Sequence, residues 1–170
     1  MHTPAPHIVV MGVSGAGKST VARLLAERTG GQFLDADDLH PVANHRKLTA
    51  GEPLTDEDRR PWLTAVRDRM RTRDSSREHA AGIVVACSAL RRAYRDVLRD
   101  VDRPVFFVAL DADPTLIAAR LAARRGHFAS RQILESQLRT LEPLEPDEDG
   151  IVCSIALPPA RIADEVLAAL

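Results

Sequence analysis

Several things are scarce in this sequence, and each scarcity narrows what the chain can be. Two cysteines, Cys87 and Cys153, are too few for a disulfide framework. Both lie in apolar, strand-like runs and read as buried free thiols. An excess of one charge is also missing: 23 Lys and Arg against 24 Asp and Glu leave a net charge of −1, with no basic tract. That balance argues against a nucleic-acid partner held by bulk electrostatics, so any anion site has to be local. No apolar stretch approaches the roughly 20 residues of a membrane span. The N-terminus, Met1 to His7, lacks the charged-then-apolar pattern of a signal peptide. The expectation is a cytoplasmic protein without a membrane partner. Six histidines are scattered without a metal-ligand spacing such as H-E-x-x-H.

What is present is an ordinary globular composition, 45% hydrophobic and 28% charged over 170 residues. That length suits one domain spanning 1–170. Residues 12 to 19, Gly12-Val13-Ser14-Gly15-Ala16-Gly17-Lys18-Ser19, match G-x-x-x-x-G-K-[ST]. The apolar run Ile8 to Met11 precedes the motif as a short buried strand, and Val21, Leu24 and Leu25 follow at helical spacing. The motif therefore stands between a strand and a helix N-terminus, where its amides can face a polyphosphate. Gly12, Gly15, Ala16, Gly17, Lys18, Ser19 and Thr20 are the candidate nucleotide-binding residues. In such loops the lysine bridges the β- and γ-phosphates and the hydroxyl of Ser19 holds Mg²⁺.

Further along, strand-like runs at 32–34, 83–87, 104–110 and 151–155 alternate with helical patterns. The helices expected are 40–48, one from Trp62 to about Arg73, 91–100, 114–124, one carrying Ile133 to Leu141, and 158–170. Residues 125–130 are expected to break the helical pattern. Strands alternating with helices predict an α/β domain whose parallel sheet is covered on both faces.

Ligands of open parallel sheets bind beyond the carboxyl ends of the strands. Asp35 and Asp37 follow the second strand, and Ser88 and Arg91 follow the third. Phosphoryl transfer needs Mg²⁺, an oriented nucleophile and positive charge on the group in flight. Asp35 suits the metal, because the third strand ends in Cys87-Ser88 rather than in the aspartate many such strands carry. Asp37 suits the acceptor hydroxyl, as orienter or proton acceptor. Arg120, Arg124 and Arg125 flank Gly126 and could close over the γ-phosphate as a lid. Trp62 could stack on a ligand, but its helical spacing explains it equally as core, and it is assigned there. His127 is either a lid contact or a plain loop residue.

Taken together, the motifs resemble the gluconate kinases, small P-loop kinases related to shikimate and adenylate kinases. The matching runs include Met11 to Ser19, Phe33-Leu34-Asp35-Ala36-Asp37 with Leu39-His40-Pro41 and Asn44, and Lys47 with Gly51-Glu52-Pro53-Leu54. They continue with Asp58-Arg59-Arg60-Pro61-Trp62-Leu63, Cys87-Ser88-Ala89-Leu90-Arg91, Gly126-His127-Phe128, and Ser136-Gln137-Leu138 with Thr140-Leu141-Glu142. The resemblance implies a three-layer P-loop kinase fold, with a five-stranded parallel sheet in the order 2-3-1-4-5 and a lid at about 125–132. It implies ATP-dependent phosphorylation of D-gluconate at the 6-hydroxyl by a cytoplasmic, commonly homodimeric enzyme. By position, Asp37 would face the acceptor hydroxyl, while His40, Asn44, Lys47, Arg59, Ser88 and Arg91 would line the sugar-acid pocket. Arg124 would belong to the lid and Arg120 would approach the adenine.

Two other functions fit parts of the pattern. A kinase of another small hydroxy acid, such as shikimate, or of a nucleoside monophosphate would share the loop and the acidic pair. A nucleotide-binding regulatory module would share the loop alone, although a GTPase-type N-K-x-D motif is missing.

Overall fold

The computed structural model describes residues 4–74, 81–111, 113–123 and 128–170. Strand β1 (His7–Met11) lies at the centre of the sheet and is buried along its whole length. Successive side chains of a strand point to opposite faces, so burial of every residue requires cover on both. Strand β3 (Ile83–Ala86) is buried in the same way. Strand β4 (Val105–Asp111) lies on the other side of β1. Strands β2 (Gln32–Asp35) and β5 (Gly150–Ser154) form the edges, and the order is β2-β3-β1-β4-β5 with every pairing parallel. The α/β class and the strand order thus agree with expectation.

The helices among the described residues are α1 (Lys18–Thr29), α2 (Val42–Thr49), α3 (Asp56–Asp74), α4 (Arg92–Arg99), α5 (Pro114–Ala122), α6 (Phe128–Thr140) and α7 (Pro159–Ala169). A 3₁₀ turn, Ala36–Leu39, leaves the end of β2. Helix α6 begins earlier than the sequence pattern suggests, since the expected break runs through residue 130. Phe128-Ala129-Ser130-Arg131 has no glycine or proline to hold the chain out of a helix. Residues 124–127 lie outside the described residues. With them go Arg124, Arg125, His127 and the first part of the lid expected at about 125–132.

From β1 the chain passes through α1 to the edge strand β2 and returns to β3, directly beside β1, before crossing to β4 on the other side. The carboxyl end of β1 therefore opens at the switch in strand order, where such sheets hold their ligands. One buried ion pair shapes the rim of this opening. Arg95 is wholly buried and forks onto Glu148 at 2.7 and 2.9 Å, while its remaining N–H groups reach the carbonyls of Ala89, Glu142 and Pro143. Ala89 has a φ of +43°, a backbone conformation costly for alanine. The guanidinium that grips its carbonyl helps hold it there, just after Ser88.

Candidate active site

The phosphate loop owes its shape to backbone conformations that only glycine adopts cheaply. Gly12 has a φ of +146°, and a Cβ there would stand 3.2 Å from the carbonyl oxygen of Leu110. Gly17 has a φ of +94° at the N-cap of α1, and no side chain caps that helix. The first amides of α1 are therefore left for a ligand, at the positive end of the helix dipole. Lys18 folds back so that its Nζ donates to the carbonyl of Val13 at 3.0 Å. Burial lowers the pKa of this ammonium, and the carboxylates of Asp37 and Asp35 oppose the shift.

Ser19 Oγ donates to Asp35 Oδ2 at 3.3 Å. Asp35 Oδ1 also accepts the N–H of Asp37 at 3.0 Å and so starts the 3₁₀ turn. A hydroxyl and a carboxylate beside a phosphate loop form an all-oxygen donor set, the chemistry that suits Mg²⁺. Cys87 offers no competing ligand. Burial pushes its thiol up to about 12, so the sulfur keeps its proton.

On one side of the loop a cavity of about 460 Å³ is lined by Ser14, Lys18, Asp37, His40, Thr49, Leu54, Arg59, Trp62, Ser88 and, from α6, Ile133, Ser136 and Gln137. The Asp37 carboxyl is held above the ordinary range, first by the protein around it and then by the charge of Asp35. Its side chain is nonetheless 79% exposed towards the opening, so water reaches it and a substrate can too. His40 stacks on Trp62 with ring centroids 4.0 Å apart. Its pKa is lowered to about 4 by burial, aided by His45 and Arg59. The Asn44 amide donates towards His40 Nδ1 at 3.1 Å, in keeping with a neutral imidazole. Trp62 is core, as its spacing suggests, with its Nε1–H on the carbonyl of Ala36 at 2.6 Å. It is also cavity wall.

On the other side of the loop a second cavity, also about 460 Å³, is lined by Gly15, Ala16, Gly17, Thr20, Arg120, Ala123, Ile155, Leu157, Pro159 and Ile162. Arg120 is anchored by a bond from Nη2 to the carbonyl of Ile155 at 3.0 Å. Mostly carbon walls with one guanidinium plane suit a flat heteroaromatic ring.

The candidate residues separate by position. Lys18, Asp37, His40, Arg59 and Ser88 meet around the first cavity, and Arg120 joins the loop at the second. Three residues expected to line the sugar-acid pocket stand elsewhere. Lys47 Nζ is taken by both carboxylate oxygens of Asp58, at 2.9 and 2.7 Å, and those bonds hold Asp58 down to about 2. Asn44 is buried between His40 and the carbonyl of Asp58. Arg91 reaches Asp56 at 3.1 Å on the rim. All three brace the wall, because each found a nearer partner than the cavity. Conversely, Ser136 and Gln137 reach the cavity, although the resemblance that includes them as a matching run gave them no role in the site. They sit in a helix whose apolar stripe gives no sign of what its polar side faces.

A family model described as an AAA domain matches residues 8–144. Gluconokinase from Gluconobacter oxydans (strain 621H) is 45% identical over 160 residues, covering 94% of this chain and 88% of the relative. Thermoresistant gluconokinase from Escherichia coli (strain K12) is 44% identical over 151 residues, covering 88% of this chain and 85% of that one. The crystal structure of a gluconokinase from Sinorhizobium meliloti 1021 superposes with a TM-score of 0.85 at 43% identity, over 99% of this chain and 93% of the other.

Proposed function

The chain belongs to the gluconokinase family, and from that membership and the arrangement of its two cavities we propose that it transfers the γ-phosphoryl group of ATP to the 6-hydroxyl of D-gluconate, giving 6-phospho-D-gluconate and ADP. One observation carries the reading: a single phosphate loop lines two cavities, a carbon-walled one on its Gly15–Thr20 side and a polar one beside Ser14 and Lys18. A donor and an acceptor held on either side of one loop meet at its lysine.

In this reading the amides of residues 15–20 cradle the phosphates, and Arg120, Ile155 and Leu157 take the adenine. Asp37 orients the acceptor hydroxyl and accepts its proton as the new O–P bond forms and the bond from the γ-phosphorus to the ADP oxygen breaks. Its carboxyl lines the acceptor cavity and lies open to it, which is the placement a general base needs. Arg59 offers a planar fork to the carboxylate of the sugar acid, and Ser88 and His40 bond its hydroxyls. Asn44, Lys47 and Arg91 keep that wall in place through their bonds to His40, Asp58 and Asp56. Arg124, outside the described residues, is assigned to the lid. Ser19 and Asp35 would hold Mg²⁺, which neutralises charge on the phosphates.

The compartment assigned is the cytoplasm, where the buried thiols of Cys87 and Cys153 stay reduced. Among the described residues no helix is long and apolar enough to cross a membrane. The assembly assigned is a homodimer, which light scattering checks. The function is tested by incubating the protein with Mg-ATP and, in parallel, gluconate, shikimate and nucleoside monophosphates. Turnover of gluconate is expected; turnover of another acceptor with none of gluconate overturns the assignment.

A further inference from the structure

Helix α6 contributes a wall to the acceptor cavity, and one of its side chains also touches the phosphate loop. The Ser14 amide N–H donates to Gln137 Oε1 at 2.5 Å, across 123 positions of sequence. An N–H can be met only by the carbonyl end of a side-chain amide, so this bond fixes which way the amide is turned. Its Nε2 group, with two donor hydrogens, has no protein partner among the described residues. Gln137 lines the same cavity as Asp37, Arg59 and Ser88. An unused pair of donors on a side chain already immobilised at its other atom is costly to leave dry and well placed to bind an oxygen-rich ligand.

We propose that Gln137 is a specificity-determining residue for the acceptor: Oε1 holds the amide against Ser14 of the phosphate loop, and Nε2 donates to a hydroxyl oxygen of the polyhydroxy acid close to the reacting end. The inference rests on the function proposed above. The assignment to the reacting end comes from Ser14, which belongs to the loop that carries the phosphates. An acceptor lacking an oxygen there covers two half-buried donors without pairing them, the kind of penalty by which polar sites reject analogues. The same contact ties α6 to the loop, so an acceptor bound by Gln137 is also registered against the phosphate being transferred.

Two substitutions separate this role from a merely structural tether. Gln137→Glu keeps an oxygen for the Ser14 N–H but removes the Nε2 donors. Gln137→Met keeps the bulk and removes both. Steady-state kinetics should show the KM for gluconate raised about tenfold or more in both variants, as loss of one good hydrogen bond to substrate predicts. In Gln137→Met the KM for ATP should stay within about threefold of the wild-type value, and thermal melting should show both variants folded. Gln137→Glu adds a carboxylate that repels every anion in the site, so if Gln137 only fastens the helix the KM values for gluconate and ATP will rise in the same proportion, and the proposal fails. It fails equally if Gln137→Met raises both KM values together. Should Gln137→Met not fold, Gln137→Glu decides alone. If the wild-type protein turns over a different acceptor and not gluconate, the function assigned above falls. The same KM comparison on that acceptor then judges Gln137 separately.

Discussion

On one side of the phosphate loop the cavity wall mixes carbon with polar side chains, several of them tied to one another. On the other side it is mostly carbon. Between β2 and α3, Trp62 holds the carbonyl of Ala36, Asn44 holds His40 and the carbonyl of Asp58, and Lys47 holds the carboxylate of Asp58. Across the loop, Ile155, Leu157, Pro159 and Ile162 offer surface, and Arg120 is anchored through a backbone carbonyl. Apolar surface plus loop amides recognises any flat base carrying phosphates. A cross-bonded polar wall recognises one arrangement of oxygens, because a misplaced hydroxyl leaves groups unpaired. Selectivity between acceptors therefore belongs to the 36–62 segment together with Ser88 and Gln137, and the nucleotide side can remain generic.

The sharpest test strikes what both sides share. Lys18→Ala should lower transfer to any acceptor by about 10³-fold or more, as removal of a charge aimed at the reacting phosphates does. The circular dichroism spectrum should stay that of the wild type, since among the described residues Nζ hydrogen-bonds only to the carbonyl of Val13. An active variant would remove the loop from the chemistry.

Next in size, Asp37→Asn should reduce kcat by roughly 10²- to 10⁴-fold while the KM for ATP moves little. Asp37 sits on the acceptor side, and its N–H, not its carboxyl, meets Asp35. Equal losses on the two substrates would place this carboxylate on the metal and blur the division between the cavities.

That division was partly legible in the sequence, and what was hidden had a physical cause. The phosphate loop is contiguous, so eight residues announce it, and the acidic pair follows a strand whose end lies beside it. Arg120 lines the cavity beside the loop, together with Leu157. The resemblance places Lys47 in the sugar-acid pocket but does not reveal its pairing with Asp58, eleven positions on. Gln137 and Ser14 are 123 positions apart, and Arg95 and Glu148 53, with no local pattern joining them. Long flexible side chains choose partners only once the backbone is folded.

A smaller effect concerns the stack of His40 on Trp62. The folded protein keeps His40 neutral down to about pH 4, whereas an unfolded chain takes up the proton near 6.5. The pKa is thus depressed on folding: the contribution to stability is fully present above about pH 6.5 and is lost as pH falls towards 4. It is worth up to about 3 kcal/mol. Urea midpoints measured from pH 7 to pH 4.5 should fall for the wild type, and fall less steeply for His40→Gln. Parallel slopes would mean that the polar wall opens before the imidazole titrates.

The smallest expected effect probes how the lattice aims its central cation. Tyr94 stands between Arg59 and Asp56: its hydroxyl accepts from Arg59 Nη1 at 3.2 Å and donates to Asp56 Oδ1. The bond lowers the pKa of Asp56, and burial together with that carboxylate keeps the phenol protonated. The Arg59 guanidinium also lies 5.4 Å from the centre of the Tyr94 ring. Tyr94→Phe keeps the ring and takes away only the hydroxyl. Asp56 retains Arg91, but Arg59 loses the neighbour that fixes one edge of its fork. If Arg59 receives the substrate carboxylate, the KM for gluconate should rise about three- to tenfold, the value of one hydrogen bond of about 1 kcal/mol. The KM for ATP and the melting temperature should hardly move, because no part of this network reaches the carbon-walled cavity. An unchanged KM for gluconate would mean that α3 alone positions Arg59, while a rise in both constants would show that the acceptor lattice extends through the loop to the nucleotide.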